Sequence, residues 1–559
     1  MGTLYPGRVT FRHLSAERIL AGAAAFVGVI GLVSALTPEM MHRVQIVQGV
    51  LPPGWPEAAR VLTVAFALGL IWLSRSLARR RRRAWQLAVA VVLASAAAHL
   101  AKGLDFEEAT ASLLLLGALL RWRHRFDVPG DPASVRPLVG LGVALAGIAA
   151  VVGGSELRGV ELSPRSSDAL LGLGVALGSL ALYFWLRPFG QAVAQTMGER
   201  RLAQTLVDAY GSDSLAFFAL RRDKSYLFSP SRRAFLAYRV VAGTALVSGD
   251  PVGDETEIDD LLVELRRLVR AHGWRFAVVG ASEERLERYR ALGLKAVPIG
   301  EEAVLRPQEF SLEGRAIRKV RQSVSRLRKA GYSFRVVPAD EVGPALEAEL
   351  EDLSASWRHG QPERGFSMAI DDLHVPGTVL ALAEDDAGRV GGFLHLAPSP
   401  RAGSVGGQAA DARPEGPTAF GGLGGGWSLS AMRRRPHTPN GLTEFLVVET
   451  LVWAREAGAS ELSLNFCALT DFLAPERVTT PLRRLVRRGL LLADNLFQLE
   501  RLYSFNRKFF PEWRRRYICV ERLTDLPAVG LAYLHAESLL VPPGPWTRRR
   551  DAGRRRAAA

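Results

Sequence analysis

The chain has 559 residues, with 71 Lys and Arg against 56 Asp and Glu and a formal net charge of +15. This length accommodates a membrane region and two ordinary domains, and the charge favours anionic partners such as lipid headgroups, RNA or nucleotides. The two cysteines, Cys467 and Cys519, form neither a CxxC nor a Cys/His pattern. This spacing excludes a disulfide framework and predicts no metal site.

Apolar stretches dominate the first third of the chain. They cover Ile19–Thr37, Val61–Ser74, Ala84–Ala101, Ala109–Leu120, Pro137–Ser155 and Ala169–Leu186. Four of them approach the roughly 20 residues that cross a bilayer, whereas the second and fourth are shorter and would also fit core or re-entrant helices. Because Arg60, Arg75 and Arg121 can extend from the ends of the short stretches to the interface, we count both as spans. The sequence thus predicts a membrane domain of about six transmembrane helices over residues 1–190.

Arginine-rich segments predict the orientation of these spans. They are the N-terminal leader, the loop at residues 75–83 and the loop at residues 121–136, whereas the loop after the third span carries Asp105, Glu107 and Glu108. With six spans, all the arginine-rich segments lie on one side. The positive-inside rule then places the N-terminus and the C-terminal module on the cytoplasmic side of the plasma membrane. The loop at 75–83 could instead be a binding site for anionic lipid.

The remaining sequence alternates strand and helix patterns in two similar units. Residues 197–330 predict strands at Ser214–Leu220, Ser225–Ser229, Arg233–Val241, Gly243–Ser248 and Phe276–Val279, and helices at Ile258–His272 and Glu283–Leu292. Residues 331–545 predict strands at Phe334–Pro338, Val379–Glu384, Val390–Pro398 and Glu461–Phe466, and helices at Val342–Trp357 and Gly441–Ala457. This order predicts two α/β units with mixed sheets, duplicated at the level of pattern. Residues 397–426 read as a long loop and residues 546–559 as a basic, disordered tail.

A basic helix is predicted between the two units, at Glu313–Lys329. Its apolar stripe consists of Ile317, Val320, Val324 and Leu327, and seven cations cover the rest. Such a surface fits either a solvated helix face or a face that contacts the phosphates of RNA or lipid.

Familiar catalytic signatures are absent from the sequence: it has no GxSxG elbow, P-loop, HExxH or paired-carboxylate motif. An α/β domain without a nucleophile can still transfer an acyl group by positioning an activated donor beside an acceptor. The nearest match to a CoA pyrophosphate loop, Arg455–Ser460, lies at the end of a predicted helix, where Gly458 fits a C-terminal cap. The sequence therefore disfavours CoA as the donor.

Several ordered segments resemble the phosphatidylglycerol lysyltransferase family, also called multiple peptide resistance factors. They include SDSLAFFALRRDKSYLFSP from Ser212, SGDPVG at 248–253, FSLEGRAIRKVRQSVSRLRKAGY at 310–332, WSLSAMRRRPHTPNGLTEFLV at 427–447, LSLNFCAL at 462–469 and LFQLERLYSFNRKFFPEWRRRY at 496–517. The last three look closest to the module that actinobacteria fuse to a lysyl-tRNA synthetase, and this chain resembles a stand-alone member. The resemblance implies a membrane helical bundle followed by tandem acetyltransferase-like (GNAT-like) domains.

The resemblance also implies an activity. Family members transfer an aminoacyl group, lysine by default, from aminoacyl-tRNA to phosphatidylglycerol on the cytoplasmic face, which changes membrane charge and resistance to cationic peptides. It implies no metal and no cofactor beyond the tRNA co-substrate. The amino acid, lipid flipping by the membrane half and homo-oligomer formation stay open. The alternatives are an acyltransferase with another donor or acceptor and an inactive lipid flippase or RNA-binding scaffold.

Family motifs assign the candidate catalytic residues. Arg433 matches the Arg of a Ser-Leu-Asp-Leu-Met-Arg-like motif, which implies phosphate binding, and Lys508 matches the Lys before Phe-x-Pro-x-Trp, which implies a contact with lipid phosphate or the developing oxyanion. Ser430 replaces the Asp of the first motif. If that Asp acts as a base, its role is lost here or has moved to Glu444.

Further candidates would bind substrate rather than react. Asn440 and Glu444 lie near a predicted helix start and could bind the aminoacyl amine. Arg318, Lys319 and Arg321 of the basic helix could bind phosphate. Asp223 and Lys224 complete the substrate-binding set, although such residues are more often turn and salt-bridge residues.

Overall fold

The computed structural model describes residues 15–37, 55–103, 105–157, 163–359, 365–366, 369–370, 372–400, 424–468, 470 and 499–540. The chain forms two compact units. One contains Met1–Gly190 with Leu268–Trp274, and the other contains Gln191–Arg267 with Arg275–Ala559. The N-terminal leader, the predicted tail at 546–559 and most of the predicted loop at 397–426 lie outside the described residues.

The first unit consists of long apolar helices. They are α1 (Ala16–Leu36), α2 (Trp55–Leu77), α3 (Arg82–Gly103), α4 (Phe106–Arg121), α5 (Val135–Leu157) and α6 (Pro164–Leu186). Within the described residues, all except α4 are long and apolar enough to cross a membrane. Helix α4 has 16 residues and is thus the short member among the predicted spans. If α4 does not cross the membrane, five spans would place the two ends of this unit on opposite sides of it. The predicted orientation therefore depends on α4.

The helices differ in how much apolar surface they bury. Leu20, Leu73, Val92 and Leu115, from α1 to α4, belong to one buried cluster. Helices α5 and α6 instead leave large apolar side chains exposed, among them Val143 at 69% and Leu171 at 69%. Such a surface matches a lipid environment better than water.

The arginine-rich segment at residues 75–83, predicted as a loop, spans the end of α2 and the start of α3 and contacts other parts of the first unit. A guanidinium nitrogen of Arg80 lies 2.5 Å from the Asp127 carboxylate. Arg83 donates a 2.5 Å hydrogen bond to the Ser134 hydroxyl, and its guanidinium carbon lies 5.5 Å from the centre of the Trp185 ring. These contacts favour a structural and topological role for the loop over a dedicated lipid site.

The elements of the C-terminal part follow in chain order. The helices are α7 (Met197–Tyr210), α8 (Ile258–Ala271), α9 (Leu286–Ala291), α10 (Arg318–Lys329), α11 (Pro344–Arg358), α12 (Leu442–Glu456), α13 (Leu499–Asn506) and α14 (Leu526–Ala536). The strands are β1 (Ser225–Phe228), β2 (Ala234–Val241), β3 (Thr244–Ser248), β4 (Val252–Gly253), β5 (Arg275–Ala281), β6 (Lys295–Leu305), β7 (Ser333–Pro338), β8 (Val379–Glu384), β9 (Val390–Pro400), β10 (Gly424–Arg434), β11 (Glu461–Ala468) and β12 (Glu512–Val520).

These strands form one mixed sheet in the order β1-β2-β3-β5-β12-β6-β11-β10-β9-β8-β7, with β4 beside β2. Two parallel pairs, β3 with β5 and β10 with β11, stand on either side of the central strands β12 and β6. Helix α8 connects the first pair and α12 the second. The halves therefore repeat one topology, and each contributes a strand to the other: β6 pairs with β11, and β12 pairs with β5.

Four predictions of local structure are corrected. Ala216–Leu220, predicted within a strand, is a 3₁₀ helix in which every residue is buried, and the Leu215 amide before it donates to the Asp213 carboxylate. An apolar run that is buried on all sides lacks the alternation that identifies a strand. Helices α9 and α10 begin later than predicted. Both ends of the predicted loop at 397–426 belong to strands β9 and β10.

Helices cover both faces of the second half of the sheet. Val324 and Leu327 of α10 join Leu442 and Phe445 of α12 and Leu394 of β9 in one buried cluster. This packing confirms the predicted apolar stripe of the basic helix. Helix α11 packs on the opposite face, where its residues Leu350 and Leu353 contact the cluster that contains Phe393.

Candidate active site

Strands β10 and β11 diverge in the middle of the second half of the sheet. Their parallel pairing covers three residue pairs, from Gly426 with Glu461 to Ser428 with Ser463. Beyond this point Asn465 adopts a left-handed backbone conformation, with φ of 67°, and its side-chain amide donates a 2.7 Å hydrogen bond to the Leu429 carbonyl. Strands that separate in this way release backbone polar groups from the ladder, and such groups can bind a ligand.

Ser430 lies at the start of this divergence. The register between β9 and β10 shifts between Leu429 and Ala431, so Ser430 is the extra residue of a bulge, a feature that redirects side chains beside active sites. Its hydroxyl accepts a 2.9 Å hydrogen bond from the Ile370 amide. Ser430 thus holds a neighbouring segment in place.

Arg433 lies farther along β10 and is buried, with 8% of its surface exposed. Its guanidinium carbon lies 5.9 Å from the centre of the Phe393 ring. Since Phe393 packs with α11, Arg433 belongs to the α11 face of the sheet. A planar guanidinium suits the oxygens of a phosphate group, so phosphate binding by Arg433 stays a prediction.

His395 is a neighbour of Arg433 that the sequence analysis missed. It is fully buried on β9, and its Nε2 lies 2.9 Å from the Thr378 hydroxyl oxygen. Burial, assisted by the charge of Arg433, lowers the pKa of His395 to about 3. The imidazole is therefore neutral at physiological pH. The sequence marks His395 only as a single polar residue within the apolar run of a strand. Such a pattern is weak evidence for a functional residue.

Lys508 and Glu444 form an ion pair. The Lys508 ammonium donates a 2.7 Å hydrogen bond to the Glu444 carboxylate, and it also lies 5.2 Å from the centre of the Phe505 ring. Lys508 belongs to a 3₁₀ turn after α13, and Glu444 to the first turn of α12. The helix N-terminus stabilises the carboxylate. The structure thus joins two residues that were predicted separately.

The two groups of candidates lie at the same end of β10. Gly392, which pairs with Arg434, closely approaches both the Arg433 carbonyl and the Leu442 side chain at the start of α12. Arg433 belongs to the α11 face, whereas α12, which carries Glu444, packs on the other face. The candidates therefore form two groups on opposite faces, at the edge where β10 ends.

Basic residues of α10 adjoin α12. Arg328 forms a 2.6 Å ion pair with Glu449, and Arg326 donates a 3.2 Å hydrogen bond to the backbone carbonyl of Asn440. The Asn440 side chain is exposed. These bonds fix the position of α10 beside the first turns of α12.

The predicted phosphate-binding residues lie on the outside of α10. Arg318 and Lys319 are exposed, and Arg321 donates a 3.1 Å hydrogen bond to the Gly314 carbonyl. A surface concavity of about 360 Å³ lies along the same helix. Its lining consists of Leu312, Arg321, Val324, Ser325, Arg328 and Lys329. This basic, open surface could contact an extended polyanion.

Asp223 and Lys224 are buried in the first half of the sheet. The Asp223 carboxylate pairs with Arg221 at 3.0 Å and Arg239 at 2.9 Å. The Lys224 ammonium donates hydrogen bonds to the Phe218 carbonyl at 2.6 Å and the Ser248 hydroxyl at 2.7 Å. Their partners give both residues a structural role, and their role in substrate binding stays a prediction.

A buried ionic network at the centre of the sheet was also missed by the sequence analysis. Arg516 of β12 donates to Asp213 at 2.5 Å and to Glu302 of β6 at 3.0 Å. The Ser214 and Ser463 hydroxyls donate to the other oxygen of Glu302. Burial alone would lower the pKa of Arg516, but Asp213 and Glu302 hold it well above its usual range. The network joins β6, β11 and β12, where the halves of the sheet meet.

Known proteins resemble the C-terminal part of the chain. A family model described as "Phosphatidylglycerol lysyltransferase, C-terminal" matches residues 204–406 and 407–520. The lysylphosphatidylglycerol biosynthesis bifunctional protein LysX of Rhodococcus jostii is 38% identical over 363 residues, which are 63% of this chain and 30% of that protein. LysX of Mycobacterium tuberculosis is 38% identical over 344 residues, 60% of this chain and 27% of that protein. The match thus spans less than a third of either relative.

A solved structure shows the same fold. The structure of L-PGS from Bacillus licheniformis aligns with a TM-score of 0.51 and 19% sequence identity, over 64% of this chain and 99% of that chain. With the apolar helices of the first unit and the repeated topology of the sheet, this match confirms the predicted fold class. The chain has long apolar helices followed by an α/β region with two halves of one topology, which shares the fold of that L-PGS structure.

Proposed function

Because the chain belongs to the phosphatidylglycerol lysyltransferase family, we propose that it transfers an aminoacyl group from aminoacyl-tRNA to a hydroxyl group of phosphatidylglycerol. We propose lysine as the amino acid, since the family description and the names of the relatives contain it. The observation that carries the proposal is the Lys508–Glu444 ion pair, because it brings together a cation and a carboxylate, the two kinds of group that such a transfer uses.

The proposed reaction exchanges one ester for another. The lipid hydroxyl oxygen attacks the carbonyl carbon of the aminoacyl ester, and the hydroxyl proton leaves to a base. The bond between that carbon and the tRNA ribose oxygen then breaks, and the ribose oxygen takes up a proton. Since the donor ester is already activated, the protein needs to supply only positioning, charge stabilisation and proton transfer. The scheme uses no metal and no cofactor.

Each candidate has a role in this scheme. Lys508 stabilises the negative charge that develops on the carbonyl oxygen or holds the lipid phosphate, and Glu444 orients Lys508 and accepts the hydroxyl proton. Arg433 binds phosphate, supported by its burial beside the divergence of β10 and β11. Asn440, exposed before α12, contacts the amine of the aminoacyl group. Ser430 keeps the Ile370 segment in place.

The basic helix α10 is the proposed contact for tRNA. Its exposed cations Arg318 and Lys319 lie outside the packed stripe of the helix. Phosphates of a polyanion release counterions when they bind such residues, so this contact should weaken as salt increases.

The first unit anchors the enzyme to its lipid substrate at the cell membrane. We propose a cytoplasmic C-terminal module, because its donor is a tRNA, and a cytoplasmic N-terminus if α4 crosses the membrane as the sixth span. Lysine adds an α-amine and a side-chain ammonium to an anionic headgroup, which makes its net charge positive. Such lipids would repel cationic peptides.

Mass spectrometry of lipids from a host that makes no aminoacylated lipid would test the proposal. Cells that express the chain should contain lysyl-phosphatidylglycerol, and cells that express the Lys508→Ala variant should not. Lys295→Ala, which removes an exposed cation from β6, is the matched control. A different lipid product would indicate another donor or acceptor. No product from protein that is folded and in the membrane would favour the scaffold alternative.

A further inference from the structure

Three ionisable side chains converge in the membrane unit. They are His99 near the end of α3, Asp105 before α4 and Glu108 in the first turn of α4. One ligand atom from each residue lies within 4.8 Å of the others. His99 is almost fully buried, with 1% exposed, and the two carboxylates are half-buried. We propose that these three residues bind a divalent transition-metal cation such as Zn²⁺.

The donor set fits such an ion. An imidazole nitrogen with two carboxylate oxygens is a ligand combination that proteins use for zinc, and three protein ligands leave room for a water molecule. Zinc–ligand bonds of about 2.0–2.2 Å place neighbouring ligand atoms about 3.3 Å apart. The ligand atoms of each pair of residues must therefore move closer together by at most about 1.5 Å. Rotation of the carboxylate side chains can supply this movement.

The local geometry directs Asp105 toward this site. Asp is a favoured N-cap residue, yet the Asp105 side chain forms no capping hydrogen bond with α4. Its carboxylate instead accepts a 3.4 Å hydrogen bond from Ser34 of α1. A polar residue that fixes the orientation of a ligating carboxylate is a common feature of metal sites.

The packing around His99 also brings α1 to the site. A Cβ atom at Gly31 of α1 would lie 3.5 Å from the His99 Nε2, and the Asp105 amide donates a 3.2 Å hydrogen bond to the His99 carbonyl. The site thus belongs to the contacts among α1, α3 and α4.

Electrostatics favours a bound cation. Two carboxylates at this separation repel each other when both are ionised, and a bound cation would relieve that repulsion. A divalent ion would neutralise both carboxylates and hold the start of α4, the shortest of the helices α1 to α6, against its neighbours. The competing arrangement is a protonated His99 that pairs with Asp105 without a metal.

Zinc binding to the purified full chain tests the proposal. Protein without a histidine tag is treated with a chelator in detergent, dialysed against micromolar Zn²⁺ in the presence of millimolar Mg²⁺, and analysed by inductively coupled plasma mass spectrometry. The wild type should retain about one zinc ion per chain, and Glu108→Gln should raise the dissociation constant at least about tenfold. Glu107→Gln removes a neighbouring exposed carboxylate and should bind zinc like the wild type.

A wild type that retains no more zinc than Glu108→Gln would overturn the proposal, and so would an equal loss in Glu107→Gln. Should Glu108→Gln fail to fold, Asp105→Asn provides the same comparison. A second readout is the visible spectrum of bound Co²⁺, which should be present in the wild type and weak in Glu108→Gln. Neither measurement depends on aminoacyl transfer, so the outcome is independent of the proposed function.

Discussion

The Lys508 ammonium lies 2.7 Å from a carboxylate oxygen of Glu444, although 64 residues separate the two in sequence. The contact joins the turn after α13 to the first turn of α12. Glu444 shares the first turn of α12 with Leu442, whose side chain lies beside Gly392, the partner of Arg434 at the end of β10. In the proposed reaction, Lys508 binds a developing negative charge while Glu444 accepts a proton.

Removal of the Lys508 ammonium should strongly reduce transfer. Lys508→Ala should lower kcat/KM for lysyl-tRNA about 100-fold or more, because a positioned donor to an oxyanion contributes on this scale. Lys508→Arg should retain part of the activity. Steady-state kinetics with phosphatidylglycerol vesicles measures both, and an unchanged Lys508→Ala enzyme would contradict the assigned role.

Glu444→Gln should distinguish the role of Glu444 as a base from the role of Lys508 as a cation. We expect kcat to fall about 100-fold or more and the acidic limb of the pH–rate profile to disappear, since the amide cannot accept the hydroxyl proton. The Lys508→Ala enzyme should keep that limb. If Glu444→Gln retains the limb, Glu444 only orients Lys508.

The exposed cations of α10 should control tRNA affinity and its dependence on salt. An Arg318→Ala, Lys319→Ala double variant should raise KM for lysyl-tRNA and leave kcat nearly unchanged. The slope of log affinity against log salt concentration should decrease by about 1.5, since each phosphate contact contributes about 0.7–0.9. Arg267→Ala, which removes an exposed cation from α8, should change neither quantity.

His395 should make the fold sensitive to mild acid. Its pKa is about 3 in the folded protein against 6.5 for the free side chain. Between these values the unfolded chain binds a proton that the folded chain does not, so the free energy of unfolding should decrease as pH falls, by about 1.4 kcal/mol per pH unit. His395→Gln should show a shallower loss of Tm between pH 6.5 and 4. Parallel pH profiles would contradict the prediction.

Removing the Arg516 cation from the buried network while its carboxylates remain should lower the stability of the fold. Arg516→Met leaves the buried Glu302 and the partly buried Asp213 without their cation and should lower the free energy of unfolding by about 3–5 kcal/mol. Replacing Glu302 with Gln in the same chain should restore part of the loss. Denaturant unfolding of the full chain in detergent compares the two variants, and equal stabilities would contradict the pairing.

Local patterns in the sequence predicted several elements well. The helix at Leu442–Glu456 and the stripe Val320, Val324 and Leu327 follow helical periodicity, and the structure buries these residues as expected. The antiparallel pair β8 and β9 is also present. These elements are predictable because their periodicity or turn residues are local properties of the chain.

The sequence did not predict pairings between residues that are far apart in the chain. The exchange of β6 and β12 between the halves depends on hydrogen bonds between strands far apart in sequence, such as Leu305 with Leu462. The same limit applied to Glu302 and Arg516. No local pattern marks either charge, and only the pairing of the strands brings the two together. The contact of Lys508 with Glu444 required the fold as well, although both residues were candidates.

Transfer of labelled lysine by the purified full chain tests the central claim most directly. The chain is mixed with [¹⁴C]lysyl-tRNA and vesicles that contain phosphatidylglycerol, and the lipid is extracted and separated. We predict label in lysyl-phosphatidylglycerol, lost after ribonuclease treatment of the donor, in vesicles without phosphatidylglycerol and in Lys508→Ala. No labelled lipid from folded wild-type protein, or label that persists after ribonuclease treatment of the donor, would contradict the account.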